Sequence, residues 1–504
     1  MNNARESTLA NNRITTARTS GIAILGRMTG RGLGYLSQIL LARFLAPEGF
    51  GLFAIGWTLL RLFSIAGHLG LDYGITKFGA QYQDNDRSKL RSLIILSVSS
   101  AFLSGLAFGI MINLTASWLA VVVFKKPELE QILKGFSIVF PLATTLRVLA
   151  SIIVFKGKTL YAAISEDITQ PLSQMFLFAL WLKPYGGVDA AILSTIISYS
   201  IAVITGLTFT AYLSPNIFKL EKVDTHDLAP LFRYSLPAIA GATLGAFNLW
   251  GDRLLVGYFG TKSDAGIYQS ISLITMLTTT ALSGIKISFA PALSRLHHEK
   301  KNLDLEILIK SIARWSLYIT IPILLFVFAN SKEVINTFFG KDYLSGSSSL
   351  QILTIGQIFY ITFAIVDQTL LMTGKQKEWL IISVIAFILT VALDAYFIQK
   401  FNILGASIVS SGMLFLIGIA SIIYIKKHLG FWMIGRTHAR VFVSSLLTGI
   451  AAQAIISKLT ISGILKIMSG FSITITIFII FLFAIGMDKS DKKLLANLLK
   501  MNHH

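Results

Sequence analysis

Fourteen apolar stretches, each long enough to cross a bilayer, constrain this 504-residue chain more than any other feature. A transmembrane helix needs roughly 20 predominantly apolar residues. Hydrophobic residues make up 54% of the chain and charged residues only 14%, which is more apolar surface than a soluble core can bury. We therefore predict an all-α polytopic membrane protein of about 14 transmembrane helices, with stretches at residues 20–43, 51–73, 92–115, 132–154, 162–182, 190–213, 234–257, 265–289, 309–329, 348–372, 378–398, 403–425, 440–457 and 464–486.

The basic residues follow membrane topology. The net charge is +19, but Lys and Arg stand in short segments between the apolar stretches and not on one soluble face, so nucleic acid is not an expected partner. Alternate segments hold 27 and 8 of these residues, and the N-terminus belongs to the richer set. Because cytoplasmic loops carry the excess of positive charge, we expect both polar tails, residues 1–19 and 487–504, in the cytoplasm, with the chain in a bacterial or archaeal cytoplasmic membrane.

The sequence offers no enzyme motif. A membrane-bound glycan ligase or polymerase would be expected to carry a large outward loop with catalytic residues, and all the outward segments here are short. Gly157-Lys158-Thr159 lacks the preceding glycine of a P-loop, and His297-His298-Glu299 does not have zincin spacing. There is no cysteine for thiolate chemistry. We expect no catalytic residue, no metal site and no cofactor.

A weak internal repeat relates the two halves of the chain at an offset of about 214 to 217 residues. Residues 50–53 (Phe-Gly-Leu-Phe) match residues 265–268 (Ala-Gly-Ile-Tyr). Further along, residues 156–158 (Lys-Gly-Lys) match residues 373–375 (Thr-Gly-Lys). The matches are sparse but colinear, which indicates a duplicated membrane unit.

Each half of the repeat contains six helices, so both halves enter the membrane in the same sense. Parallel repeats of this kind are related by an axis along the membrane normal and are typical of transporters. We predict an N-lobe at 20–213, a cytoplasmic linker at 214–233 and a C-lobe at 234–425 around a central cavity. Two extra helices, at 440–486, lie outside the repeat.

Several landmarks, taken in order, resemble a known family. Residues 42–51 (Ala-Arg-Phe-Leu-Ala-Pro-Glu-Gly-Phe-Gly), after the first helix, are similar to the signature of polysaccharide transporters of the multidrug/oligosaccharidyl-lipid/polysaccharide (MOP) superfamily, the Wzx-like flippases. The resemblance covers essentially the whole chain. The other landmarks are Leu69-Gly70-Leu71-Asp72, Asp252-Arg253-Leu254-Leu255, Gly266-Ile267-Tyr268, Gly374-Lys375 and Ile403-Leu404-Gly405-Ala406.

This resemblance implies a fold like those of MATE transporters and MurJ and a specific kind of transport. The implied substrate is a polyprenyl-pyrophosphate-linked oligosaccharide, such as an O-antigen unit of lipopolysaccharide, moved from the cytoplasmic to the outer leaflet. Membrane lipids, together with a polysaccharide polymerase and ligase of the same pathway, are the implied partners. Coupling to membrane potential, H⁺ or Na⁺ stays open. A lipid II flippase and a cation-coupled multidrug exporter share the fold and remain alternatives.

Four arginines inside the predicted helices are the candidate substrate-binding residues. An arginine at the centre of a spanning helix costs roughly 2.5 to 3.5 kcal/mol on insertion scales, so something must compensate for it. Arg27 and Arg31 share one face of helix 1, Arg61 lies near the middle of helix 2, and Arg147 lies in helix 4. Their planar donors match phosphate oxygens, so we predict that they bind the pyrophosphate. The alternative is an internal ion pair with a carboxylate on another helix.

Further polar residues are candidates for a gate or for sugar contact. Asp252 and Arg253 lie near the outward end of helix 7, where a structural pair is the simpler alternative. Buried polar stripes can also simply tie helices together, at about 0.6 kcal/mol per bond. The remaining candidates are Gln38 in helix 1 and Gln357, Asp367 and Gln368 in helix 10.

Overall fold

The computed structural model describes residues 2–82, 86–215, 228–363, 365–372, 375–433, 435–459, 461, 463–485, 487 and 491. For some helical residues, among them 2–25 and 278–288, it describes only the backbone. Residues 216–227 of the predicted linker and most of the predicted tail at 487–504 lie outside the described residues. So do the side chains of Asp367 and Gln368.

Throughout the described ranges the secondary structure is helical, with no strand. Two π-helical turns, Leu119–Val123 and Ala163–Thr169, and one 3₁₀ helix, Lys341–Gly346, interrupt the α-helices. The α-helices are α1 Asn2–Gly67, α2 Leu71–Tyr82, α3 Arg87–Trp118, α4 Leu129–Ser137, α5 Val139–Phe155, α6 Thr159–Ala162, α7 Gln170–Tyr185, α8 Gly187–Leu213, α9 Leu228–Phe259, α10 Lys262–His298, α11 Asn302–Ala329, α12 Ser331–Phe338, α13 Ser347–Phe363, α14 Ile365–Met372, α15 Gln376–Leu429, α16 Arg436–Ile456 and α17 Gly463–Ile485.

Two of these helices are long because each contains a kink. In α1 the kink lies at Ala46, with φ 56° and ψ 172°, directly before Pro47. In α15 it lies at Asn402, with φ 48° and ψ −132°. Proline at the first position of a new helical segment is favourable because its missing N–H would be unpaired there. Each long helix therefore contains two of the predicted spans.

Seven helices of the described part of the chain are long and apolar enough to cross a membrane, and a bent pair, α4 with α5, raises this number to eight. Two of the seven are the kinked regions, at Gly26–Tyr82 and Lys377–Leu429. The predicted class of an all-α, multi-pass membrane protein is confirmed. The count of fourteen spans stays a prediction, as does the cytoplasmic placement of both termini.

The chain forms two compact units, Met1–Gln269 and Ser270–His504, here called unit 1 and unit 2. Unit 1 therefore includes α9 and the first residues of α10 as well as α1 to α8. The division of the chain into an N-lobe at 20–213 and a C-lobe at 234–425 stays a prediction.

In unit 1, small residues bring helices into close contact. Gly105 of α3 faces α5 and Gly109 faces the end of α4, and a Cβ atom added to Gly105 would lie 2.2 Å from Oγ1 of Thr144. Thr144 in turn donates a hydrogen bond to the carbonyl oxygen of Ala101 at 2.8 Å. Such glycine pairs allow membrane helices to pack closely without a hydrophobic driving force between them.

In unit 2, α11 lies at the centre of the packing. Its buried residues Leu317, Ile321 and Leu324 contact α13, α16 and α17 in one apolar cluster. Near its middle, Arg314 forms a buried ion pair with Asp491, with Nε and Oδ2 2.9 Å apart. This pair fixes a residue beyond α17 against α11.

Candidate substrate site

A very close contact within unit 1 brings acidic residues beside the arginines of α1. The π-helical turn at Ala163–Thr169 carries Glu166 and Asp167, and it packs against Gly30 of α1. A Cβ atom added to Gly30 would lie 2.3 Å from Cβ of Asp167 and 2.7 Å from its carbonyl oxygen. Only glycine permits this approach, and π-helical turns of this kind are frequent at functional sites.

Arg147 of α5 lies between carboxylates from two other elements. Its Nη1 atom is 3.3 Å from Oε1 of Glu166, and its Nη2 atom is 3.8 Å from Oδ2 of Asp72. Nδ1 of His68 lies 3.7 Å from the other oxygen of Asp72. The alternative of an internal ion pair therefore describes Arg147, although 47% of its side chain is still exposed.

Arg27 and Arg31 lie near a third carboxylate. Asp167 interacts electrostatically with both arginines, and also with Glu166 and Arg147. Three of the four predicted arginines thus surround Asp167. We call the seven residues Arg27, Arg31, Arg61, Arg147, Asp72, Glu166 and Asp167 the charged cluster.

Arg61 has different surroundings. Its guanidinium carbon lies 4.9 Å from the ring centroid of Trp250 in α9, a cation–π distance. Tyr199, Tyr35 and Glu166 are among its electrostatic neighbours. Although protein groups surround it, Arg61 keeps an exposed side chain. No carboxylate of the described residues forms an ion pair with Arg61, which leaves its donors available to a ligand.

Gln38 lies beside a buried hydrogen-bond network that ties helices together. Gln38 is 6% exposed, and its Oε1 atom has no hydrogen-bond partner among the described residues. The neighbouring network joins α1, α7 and α8, as expected for polar residues that hold helices together. Its bonds run from Ser37 Oγ to Gln174 Oε1 (3.1 Å), Gln170 Nε2 to Gln174 Oε1 (3.2 Å), Gln174 Nε2 to Thr195 Oγ1 (2.9 Å) and Gln170 Nε2 to Ser198 Oγ (3.3 Å).

Asp252 and Arg253 make structural contacts. The hydroxyl of Tyr268 in α10 donates to Oδ2 of Asp252 at 2.7 Å, and the backbone N–H of Arg253 donates to Oδ1 at 2.9 Å. Nη1 of Arg253 donates to the carbonyl oxygen of Leu249 at 3.2 Å. Asp252 therefore fastens α9 to the beginning of α10, and a role in gating stays a prediction.

The candidates of the C-terminal half lie in unit 2. Gln357 is in α13, and its Oε1 atom is buried with no partner in the described part of the chain. Asp367 and Gln368 belong to α14. Sugar contact by these three residues stays a prediction. Over the described ranges, no group of three His, Cys, Asp or Glu residues is arranged to hold a metal.

Two residues of the site escaped sequence reasoning. Glu166 stands beside Asp167 in a predicted span, so its charge was a usable signal, but its contact with Arg147 depends on the π-helical turn. Trp250 gave no signal, because a tryptophan in an apolar helix is ordinary. Its position over Arg61 follows only from the packing of α9 on α1.

Comparisons with known proteins place these observations in a family context. The sequence profile described as "Polysaccharide biosynthesis protein" matches residues 40–348. The "Probable low-salt glycan biosynthesis flippase Agl15" of Haloferax volcanii is 24% identical over 399 residues, which cover 78% of this chain and 80% of the relative.

Two solved structures are similar over most of the chain. Lipid II flippase MurJ in an inward closed conformation has a TM-score of 0.70 at 15% identity, covering 93% of this chain and 98% of that one. A MATE family multidrug resistance transporter of the MOP superfamily, inward-facing, has a TM-score of 0.65 at 14% identity, covering 81% and 98%. At such low identity these likenesses show the fold alone, and they confirm the predicted MATE/MurJ-like architecture.

Proposed function

Because the chain belongs to the polysaccharide biosynthesis protein family, as its resemblance to MOP polysaccharide transporters indicated, we propose that it is a flippase for a polyprenyl-pyrophosphate-linked oligosaccharide. The glycan, such as an O-antigen unit, moves from the cytoplasmic to the outer leaflet by alternating access. The name of the Haloferax relative, a glycan biosynthesis flippase, supports this proposal. A transport role involves no bond chemistry, in keeping with a chain that has no catalytic motif.

The observation that carries the proposal is the excess of guanidinium groups in the charged cluster. It contains four arginines and three carboxylates. Asp72 and Glu166 form ion pairs with Arg147, whereas Arg61 contacts the aromatic ring of Trp250. A site in which arginines outnumber carboxylates, placed within an apolar helical bundle, favours a multiply charged anion over a cation.

In this proposal Arg27, Arg31 and Arg61 hold the pyrophosphate, while the glycan occupies an aqueous cavity and the polyprenyl chain stays in the bilayer. The three guanidinium groups come from the two segments of α1, before and after the kink at Ala46. A pyrophosphate has enough oxygens to bridge them with paired hydrogen bonds. Arg147 can then donate hydrogen bonds to the pyrophosphate as well, once a phosphate oxygen displaces the carboxylate of Glu166.

The membrane potential supplies a driving force under this scheme. When the cytoplasm is negative, moving one anionic charge outward across the membrane is favourable by roughly 2.3 kcal/mol per 100 mV. Coupling to H⁺ or Na⁺ is an additional proposal that the same transport assay can examine by imposing each gradient separately.

The test uses purified protein in proteoliposomes with a fluorescent lipid-linked oligosaccharide, and it measures leaflet exchange by chemical quenching from outside. Hydrogen bonds to charged groups contribute about 1.5 to 3 kcal/mol. We therefore expect Arg31→Ala and Arg61→Ala each to slow exchange by roughly 10- to 100-fold. Lys134→Ala is the matched control, because Lys134 is an exposed cation in an ion pair with Glu130 of the same helix.

The outcomes separate the alternatives. Native rates in both arginine variants contradict the assignment of the pyrophosphate site. If the native protein exchanges lipid II but not the lipid-linked oligosaccharide, the substrate is the peptidoglycan precursor. If it exchanges neither lipid and instead accumulates cationic drugs, it is a multidrug exporter.

A further inference from the structure

A buried lysine joins two parts of unit 1 through main-chain carbonyl groups alone. The Nζ atom of Lys126, which follows α3, donates to the carbonyl oxygens of Gly257 at 2.7 Å, Gly260 at 2.9 Å and Phe124 at 3.2 Å. Lys126 is 5% exposed. An ammonium group has three N–H donors, so these bonds satisfy it completely. Because α9 ends at Phe259, the ammonium also faces the negative end of that helix.

At the same end of unit 1, two glycines allow main chains to touch. A Cβ atom added to Gly51 would lie 1.8 Å from the carbonyl oxygen of Lys262, and one added to Gly266 would lie 2.0 Å from that of Pro47. Each glycine therefore packs against the segment that carries the other. Gly51 and Gly266 are the glycines that the internal repeat pairs in sequence.

This reciprocity has a geometric meaning. When two equivalent elements meet on a shared two-fold axis, residue i of one contacts residue j of the other and the reverse also holds. Parallel repeats in transporters have such an axis along the membrane normal. The Gly51–Gly266 contact is therefore the point at which the two repeat-related hairpin turns meet.

Two side-chain contacts reinforce the same junction. A Cβ atom added to Gly257 would lie 2.7 Å from Cγ1 of Ile55, so α9 packs directly on the second segment of α1. The side chain of Lys262, at the start of α10, forms an ion pair with Glu128. The hairpin of α9 and α10 is therefore held at this end by a lysine, two glycines and an ion pair.

Holding this junction with Lys126 requires the burial of a charged ammonium group, which is unfavourable by itself. Burial lowers the pKa of its ammonium group from the usual value, and the nearby Asp264 carboxylate opposes that shift. Well-packed apolar residues often stabilise a fold as well as a buried charge does. The hydrogen bonds to Gly257 and Gly260 offset the free energy of desolvating the ammonium group, and they form only while these two carbonyl groups stay in place. The contact is therefore specific to one arrangement of the hairpin.

We propose that Lys126 is a positioning residue of the transport cycle, which holds the α9–α10 hairpin against the segment that follows α3, and so beside α1, while this end of unit 1 is closed. We call Lys126 and the carbonyl groups of Gly257 and Gly260 the Lys126 latch. Opening exchanges the bonds of Lys126 to Gly257 and Gly260 for bonds to water. The inference rests on the proposed function only in assigning this end to the outer face of the membrane and opening to substrate release.

The test measures how often the junction opens, without using a substrate. Since the chain has no cysteine, a single Ile55→Cys substitution provides a unique thiol in the contact with Gly257, where Ile55 is 1% exposed. A membrane-impermeant thiol reagent is added to intact cells, and the labelling rate is compared in native, Lys126→Met and Lys125→Met backgrounds. Lys125 is the matched control, because it is the adjacent lysine and is exposed.

We expect Lys126→Met to raise the labelling rate at Ile55→Cys at least tenfold and Lys125→Met to leave it unchanged. An exposed reporter, Lys183→Cys, fixes the side from which the reagent must be added and should label equally in all backgrounds. Equal rates in the three backgrounds, or equal increases for both lysine variants, overturn the proposal. Because no lipid transport is measured, these results stand even if the proposed substrate is wrong.

A lysine with only a structural role would give another pattern. Its loss would lower the melting temperature of the purified protein and leave the labelling rate of the folded fraction unchanged, which also overturns the proposal. If Lys126→Met does not accumulate in the membrane, Gly266→Ala decides the matter, because its methyl group meets the carbonyl oxygen of Pro47. It should raise the labelling rate at Ile55→Cys as well, and an unchanged rate counts against the latch.

Discussion

The charged cluster and the Lys126 latch both place cations within unit 1, but they balance the charge differently. Arg147 lies 3.3 Å and 3.8 Å from two carboxylates and keeps 47% of its side chain exposed. Lys126 is 5% exposed and bonds only to carbonyl oxygens. Carboxylates on side chains can exchange places with a phosphate, whereas main-chain carbonyls move only with their helix. The first arrangement suits ligand binding, and the second suits control of conformation.

The largest expected effect comes from preventing the Lys126 latch from opening, which tests whether the latch controls conformation. We expect a Glu128→Cys, Lys262→Cys double variant, joined by a short bifunctional thiol reagent, to lose transport by about tenfold or more, because conformational steps of this kind limit turnover. Lipid exchange in proteoliposomes measures the effect.

Each single cysteine variant, treated with the same reagent, is the control. An exposed ion pair contributes only about 0 to 1 kcal/mol, so the single variants should stay active. Full transport by the crosslinked protein would show that this end of unit 1 does not need to open.

The charged cluster allows a second test, with effects of opposite sign. Glu166→Gln removes one of the two carboxylates that form ion pairs with Arg147, so we expect affinity for a prenyl diphosphate to rise by roughly three- to tenfold. Arg147→Gln removes the cation, and affinity should fall by a similar factor. Calorimetric titration with farnesyl diphosphate measures both.

Farnesyl monophosphate is the matched ligand, because it keeps the lipid chain and loses one phosphate. The two variants should change its binding less. A fall in diphosphate affinity in both variants would mean that the Arg147–Glu166 pair acts as a fixed structural unit and not as a ligand exchange site.

Sequence reasoning reached the helical class and the family, because these depend on hydropathy and motif order. It also named four arginines from their positions inside helices, and three of them lie around Asp167, whereas their role in binding stays a prediction. It could not reach the pairing of Arg147, because the π-helical turn that presents Glu166 leaves no pattern in the sequence. The internal repeat aligned Gly51 with Gly266 without revealing that they touch. Lys126 looked like an ordinary loop lysine, since two of its carbonyl acceptors, those of Gly257 and Gly260, lie more than a hundred residues away.

The smallest expected effect concerns the hydrogen-bond network around Gln174, to which we assign neither ligand binding nor control of conformation. Gln174→Leu removes the acceptor of two bonds and the donor of a third, at about 0.6 kcal/mol each. We expect a loss of roughly 2 kcal/mol in stability, seen as a lower melting temperature, with transport rates unchanged. Ser173→Ala is the matched control, because Ser173 bonds only to carbonyl oxygens of its own helical segment. Loss of transport at an unchanged melting temperature would instead place Gln174 in the substrate path.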